Sequence, residues 1–312
     1  MFRGRTLARS VAVVAVLVAT AAHATAAGAA PPTPVVGQSE SFDPAAYDAY
    51  VQSTASTRKE KDALSDLAAS ARSSGDWTAF DAAANGRDTR LGRSARKRVD
   101  HSISVTTGLA AASADRPAAI LFNFHYVAGV TQFPQTTTYY CGPAAGQAIL
   151  AGWSYAGVSF ARGAPSQAGL AGAMGTTSSA GTGITAWASG MNAWIWNNPG
   201  QPGGWVYKAA STLTTMVNDV RGNIDANWGA GVNTVEITSG LRYNAHPTGA
   251  AIRHFIAAWG YDPAAGTISL TDSAANSAPI GWQNVAPTVT MTNSLVFNFI
   301  NQSGSDKRGY SY

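Results

Sequence analysis

Charge is scarce in this chain, and cysteine scarcer. Charged residues make up 12 % of the 312 positions, and 14 of the 21 Lys and Arg residues precede residue 121. The 192 residues that follow hold only seven Lys or Arg and six Asp or Glu. A net charge of +4 would by itself suggest an acidic partner. That distribution leaves the larger part without the clustered basic footprint that nucleic acid requires, so no nucleic-acid partner is expected. A single cysteine, Cys141, rules out a disulfide framework within the chain. Long apolar runs are missing too. The run Val11–Ala22 is shorter than the ~18 to 20 residues of a membrane span, and Pro31, Pro32 and Pro34 follow it, so stable membrane insertion is not expected. Phosphate-binding loops, dinucleotide fingerprints and HExxH are absent, and no cofactor or metal is implied.

What is present near the N-terminus has the order of a secretory signal over residues 1–30. Arg3, Arg5 and Arg9 precede the apolar run, and small residues follow around Ala24 to Ala30. The expectation is a secreted, extracellular bacterial protein. Residues 31–117, rich in Ala, Ser, Asp, Arg and Lys, read as a pro-segment or helical arm, helical-looking over 44–71. Arg96, Lys97 and Arg98 offer a cleavage site for a trypsin-like protease, although such a run also suits a solvated face.

Residues 118–312 read as one catalytic-sized domain. It opens with AAILFNFHYV, where Phe122, Phe124 and Tyr126 alternate as on a strand. A helix follows from about Gly142, with Ala145, Ala148, Ile149 and Trp153 at helical spacing and Pro143 in the tolerated first turn. The Gly-rich stretch 163–184 reads as an extended loop, with helices expected over 183–196 and 211–224. The last 60 residues, including SLVFNFI, read as antiparallel strands. The tryptophans of this part read mostly as core, with some available to an apolar cleft.

A lone thiol in an exported chain is a candidate reactive group, or else an inert buried side chain. Cys141 sits just where the helix should begin, where unpaired N–H groups and the helix dipole favour a thiolate. Gln135, six residues upstream, is a candidate oxyanion donor beside the Cys141 backbone N–H, with Gln132 as competitor. The histidines available as base are His125, His246 and His254. His254 opens the apolar strand FIAAWGY. A turn at Pro263 to Gly266 and a second strand then deliver Asp272, so a hairpin would set the two side chains together, with Asn276 as fallback third member. The imperfect GxSxG of Gly152, Ser154 and Ala156 continues the helix rather than forming a strand-to-helix elbow.

The segments QFPQTTTYYCGPAAGQAIL and HFIAAWGYDPAAGTISLTDS resemble the nucleophile and His/Asp segments of the double-glycine leader peptidases and their stand-alone relatives, the cysteine peptidase family 39-like proteins. The resemblance covers about residues 119–302 and leaves the first part of the chain outside. It implies an α+β, papain-like fold with the nucleophile helix packed on an antiparallel sheet, and thiol-dependent amide hydrolysis through an acyl-enzyme. Cys141, His254, Asp272 and Gln135 take the positions of its working residues. Three departures stand out: no ATP-binding transporter domain is read in this sequence, so processing of leaders at a double glycine is not expected to carry over; residues 155–250 are long and Trp-rich; and Arg253 precedes His254 where many relatives have a small residue. The expected partner is a peptide or protein substrate. Acyl transfer and cutting of peptidoglycan stem peptides use the same residues. A binding or surface protein that kept the fold without catalysis is the rival from another class.

Overall fold

Strands β3 (Ala230–Glu236) and β4 (Ile252–Asp262) form the centre of the molecule, paired antiparallel from Ala230↔Ala258 to Glu236↔Ile252. Every residue of β3 is buried, which its small and β-branched side chains permit in a strand covered on both faces. The computed structural model of the chain describes residues 44–90, 124–195, 204–210, 212–301 and 308–312, all within one unit spanning Pro34–Tyr312. Residues 1–30, Phe122 and the basic run Arg96 to Arg98 lie outside the described residues.

Seven strands make one antiparallel sheet in the order β2-β7-β3-β4-β5-β6, with β1 (His125–Tyr126) pairing the far end of β4. The others are β2 (Tyr207–Ala209), β5 (Thr267–Thr271), β6 (Thr288–Thr292) and β7 (Gly309–Ser311). The β4–β5 hairpin turns where expected. Asp262 Oδ1 accepts the N–H groups of Ala264 and Ala265, and Gly266 supplies the left-handed residue. Alternation along β4 splits the core in two. Phe255 and Ala257 pack with α4 (Cys141–Tyr155), α5 (Gln167–Met174) and α6 (Ile184–Ile195), whereas Ile256 and Ala258 pack with α7 (Leu213–Asp225) and α8 (Asn293–Asn301). This is the α+β, papain-like arrangement that the resemblance implies, with the Cys141 helix packed against the sheet.

Two expectations are corrected. The stretch 163–184 is not simply an extended loop, because it contains α5, capped by Ser166, whose hydroxyl accepts the Gly169 N–H. Its glycines disguise it in sequence but serve close packing. A Cβ on Gly169 would stand 2.5 Å from the Trp194 ring of α6. SLVFNFI is a helix rather than a strand, since Val296, Phe299 and Ile300 bury at the i, i+3, i+4 spacing of a single helical face.

Helices α2 (Ala55–Ser74) and α3 (Thr78–Arg90), which follow α1 (Pro44–Ser53), share this core. Leu64, Ala68, Ala71, Phe80 and Ala84 bury in the same cluster as Trp153, Trp205 and Trp228. Lys61, fully buried, donates to Asn223 at 2.8 Å and lies 4.9 Å from the Trp228 ring centre; Arg87 stacks on that ring at 3.9 Å. Burial, then the Arg87 charge, push the Lys61 ammonium well below its usual range. Arg72 pairs with Asp225 at 2.5 Å. These contacts fall at the Trp153 end of α4, about 18 Å along the helix from Cys141.

Candidate active site

Cys141 is the first residue of α4, 4 % exposed, so its side chain meets the N–H groups that the first helical turn leaves unpaired. Its helix start is held in place by Trp187 of α6, whose indole N–H donates to the Gly142 carbonyl at 2.9 Å. Gly142 has no room for a side chain, because a Cβ there would stand 2.7 Å from Thr182 Cβ. Burial pushes the Cys141 thiol up. A hydrogen bond from His254 and its charge, with backbone N–H groups of Phe255 and Gly142, outweigh burial and leave the thiol below its ordinary value.

His254 lies at the buried start of β4, and Asp272 follows the end of β5, so the hairpin brings them together as the sequence suggested. His254 Nε2 donates to Asp272 Oδ1 at 2.9 Å, which leaves Nδ1 as the ring nitrogen for Cys141. Burial pushes the His254 ring down, but the Asp272 carboxylate and the Cys141 sulfur raise it to about 10. Burial likewise pushes Asp272 up, and its two histidine partners hold it far below the usual carboxylate range.

The carboxylate of Asp272 is saturated. Oδ1 also accepts the Ala274 N–H at 2.9 Å, while Oδ2 accepts His246 Nε2 and Asn244 Nδ2, each at 2.8 Å. His246 continues the chain, because its Nδ1 faces Glu236 Oε1 at 2.5 Å, and Arg242 Nη1 lies 3.5 Å from Glu236 Oε2. Trp282 lies over the His246 ring at 4.8 Å and Tyr243 at 4.4 Å. His246 was legible only as a substitute base, and Glu236, Asn244 and Arg242 not at all. The one sequence signal was scarcity, for Glu236 is one of six acidic residues after residue 121, and it ends an apolar strand.

The other candidates lie elsewhere or have other partners. His125 bonds Asp225 at 3.0 Å and stacks on Tyr261, at the far end of β4. Asn276 is an exposed turn residue with φ 58°. Gln135 is buried, and its Nε2 donates to the Thr137 carbonyl at 2.8 Å while its Oε1 accepts the Ser273 hydroxyl. Gln132 donates to the Ala275 carbonyl. Ser154 is an exposed residue within α4.

His246, His254 and Asp272 offer ligand atoms within 4.8 Å of one another, a set that could interest a metal ion. Their geometry is that of a hydrogen-bond chain. Each Nε2 has its own Asp272 oxygen at 2.8 or 2.9 Å, instead of all converging on one point at the ~2.0 to 2.2 Å of zinc ligation.

No curated protein matches the chain. A family model, the Peptidase_C39 like family, matches residues 127–302, more than half of the chain and all of the cluster around Cys141. The chain therefore belongs to the Peptidase_C39 like family, a family of cysteine peptidase type.

Proposed function

We propose that the protein is an exported cysteine peptidase that hydrolyses peptide or isopeptide bonds with Cys141 as nucleophile, His254 as acid and base, and Asp272 as the group orienting His254. The observation that carries this reading is the unbroken series from the Cys141 thiol at a helix N-terminus through His254 to the saturated Asp272 carboxylate. The thiolate attacks the carbonyl carbon and the C=O electrons move to oxygen. Collapse breaks the C–N bond, and His254 gives its proton to the leaving amine. His254 then takes a proton from water, which attacks the thioester and releases the acid and the Cys141 thiolate, with the imidazolium restored. The oxyanion is met by the Cys141 backbone N–H at the start of the helix and by the second N–H of the Gln135 amide. Since Asp272 holds the ring nitrogen remote from sulfur, the imidazolium is stabilised without Asp272 taking the proton.

The test is the pH dependence of iodoacetamide alkylation of Cys141 in the full chain and in His254→Ala. Rapid labelling well below pH 8 that is lost in the variant supports the reading. An ordinary thiol profile in both, on folded protein, overturns it.

A further inference from the structure

Beyond the Cys141, His254 and Asp272 series lies a second buried pair that the proposed reaction does not use. Both nitrogens of His246 face carboxylate oxygens, at 2.5 Å from Glu236 and 2.8 Å from Asp272. Carboxylates that are ionised only accept, and between two of them both nitrogens donate and the ring carries the imidazolium charge. The fold places the pair deliberately. Thr234 stands opposite His254, and Glu236, two residues on, points to the same side of the sheet. The loop to β4 returns across that side, passing Asn244 and Ala245 in left-handed backbone (φ 51° and 57°) just before His246. Left-handed backbone is strained for an alanine, and here the following side chain is anchored on two carboxylates.

We propose that His246 is a positioning residue for the cysteine site: wedged between Glu236 and Asp272, its positive charge holds the second oxygen of the carboxylate that His254 uses and moderates how strongly that carboxylate draws the His254 proton. This rests on the reading of Cys141 and His254 given above. The groups facing His246 are Glu236 on β3, Asp272 after β5, His254 on β4 and Tyr243 on its own loop; Arg242 acts on it through Glu236, and Cys141 through His254. The His246 and His254 ring centres are 5.6 Å apart, close enough for one charge to be felt at the other.

A neutral Gln at position 246 keeps a donor to Asp272 and removes the charge. The Cys141 and His254 pair then sits in a more negative field, which disfavours the thiolate and favours the imidazolium, so both limbs of the pH profile move up. Glu236→Gln removes charge of the opposite sign and moves them down or leaves them in place. The double variant is charge-balanced.

The experiment follows Cys141 alkylation against pH in the full-length wild type, His246→Gln, Glu236→Gln and the double variant, together with the imidazole carbon resonances of 13C-histidine-labelled wild type. The expected result is an upward shift of about one pH unit in the acid limb of His246→Gln, reversed in the double variant, with His246 charged at pH 7. Limbs that stay in place while only the amplitude falls would reduce His246 to a structural role and overturn the proposal. A neutral His246 resonance at pH 7 in the wild type overturns it without any variant having to fold. A wild type with an ordinary thiol profile overturns the peptidase reading first, and this proposal with it.

Discussion

Trp187 lies nearly parallel to Phe255, with 11° between the ring planes and 6.2 Å between centres, while its indole N–H reaches across to the carbonyl of Gly142. One side chain thereby fixes the start of α4 relative to the strand residue that follows His254. Cys141 and His254 are each one residue from a Trp187 contact, so their approach is set by packing as much as by their own hydrogen bond.

Gly142→Ala tests that arrangement. The new methyl group meets Thr182, and relieving the clash moves the helix start or Trp187, at a cost of about 1 to 3 kcal/mol in stability. The acid limb of Cys141 alkylation should move toward the ordinary thiol range as the Gly142 N–H leaves the sulfur. A stable variant with an unchanged profile would show that the tight contact with Thr182 is not what positions the thiol.

Removing the thiol should expose a hidden pH dependence of stability. His254, raised to about 10 in the fold from 6.5, contributes stability that is full below pH 6.5 and is lost as pH rises toward 10. Cys141 is lowered from 9.0, so its contribution has the opposite slope and grows as pH rises to 9.0. Wherever Cys141 is ionised in the fold but still protonated in the unfolded chain, below pH 9.0, its slope opposes that of His254 and the two cancel. In Cys141→Ala only the His254 slope remains, and stability should fall by about 1.4 kcal/mol per pH unit above pH 6.5 until His254 itself deprotonates. Thermal melts of wild type and variant across pH 6 to about 9 make the comparison; parallel curves would contradict the ion pair.

Asp272→Asn replaces a carboxylate that accepts four hydrogen bonds by an amide whose NH2 faces donors. We expect about 3 to 5 kcal/mol of lost stability, because His246 and His254 keep their burial without their shared anion. Low-pH alkylation should slow about 10²-fold or more. Equilibrium denaturation and alkylation kinetics read the two effects separately.

A chain beginning at residue 118 should not fold as the full chain does. It lacks the helices that cover Trp228, along with Leu64 and Phe80 from the shared core. Leu64→Ala in the intact chain is the milder test, expected to cost about 2 to 5 kcal/mol. A residue 118–312 fragment with native tryptophan fluorescence and cooperative melting would show that α1 to α3 are dispensable.

The hairpin joining His254 to Asp272 was legible because apolar strand, turn and strand follow one another within 19 residues, so local sequence carries the geometry. The helix behind Cys141 was legible for the same reason. α5 was not, since glycines that allow helices to touch are indistinguishable in sequence from glycines that break them. SLVFNFI satisfies alternation and helical spacing alike, and only the partner surface decides. The second pair at the site was hidden because Glu236 and His246, ten positions apart, meet across the loop that leaves β3, and Asp272 joins them from a third segment.

From Cys141 to Arg242 the ionised groups of the proposed active state would run thiolate, imidazolium, carboxylate, imidazolium, carboxylate, guanidinium, each next to its opposite. Such a row is self-neutralising and, over most of its length, inside the protein, where dissolved ions do not reach. Sodium chloride should therefore leave the acid limb of Cys141 reactivity where it is, even at concentrations that shrink the Debye length to about 3 Å. Any strong dependence of turnover on ionic strength would then belong to the encounter with substrate rather than to the chemistry at sulfur.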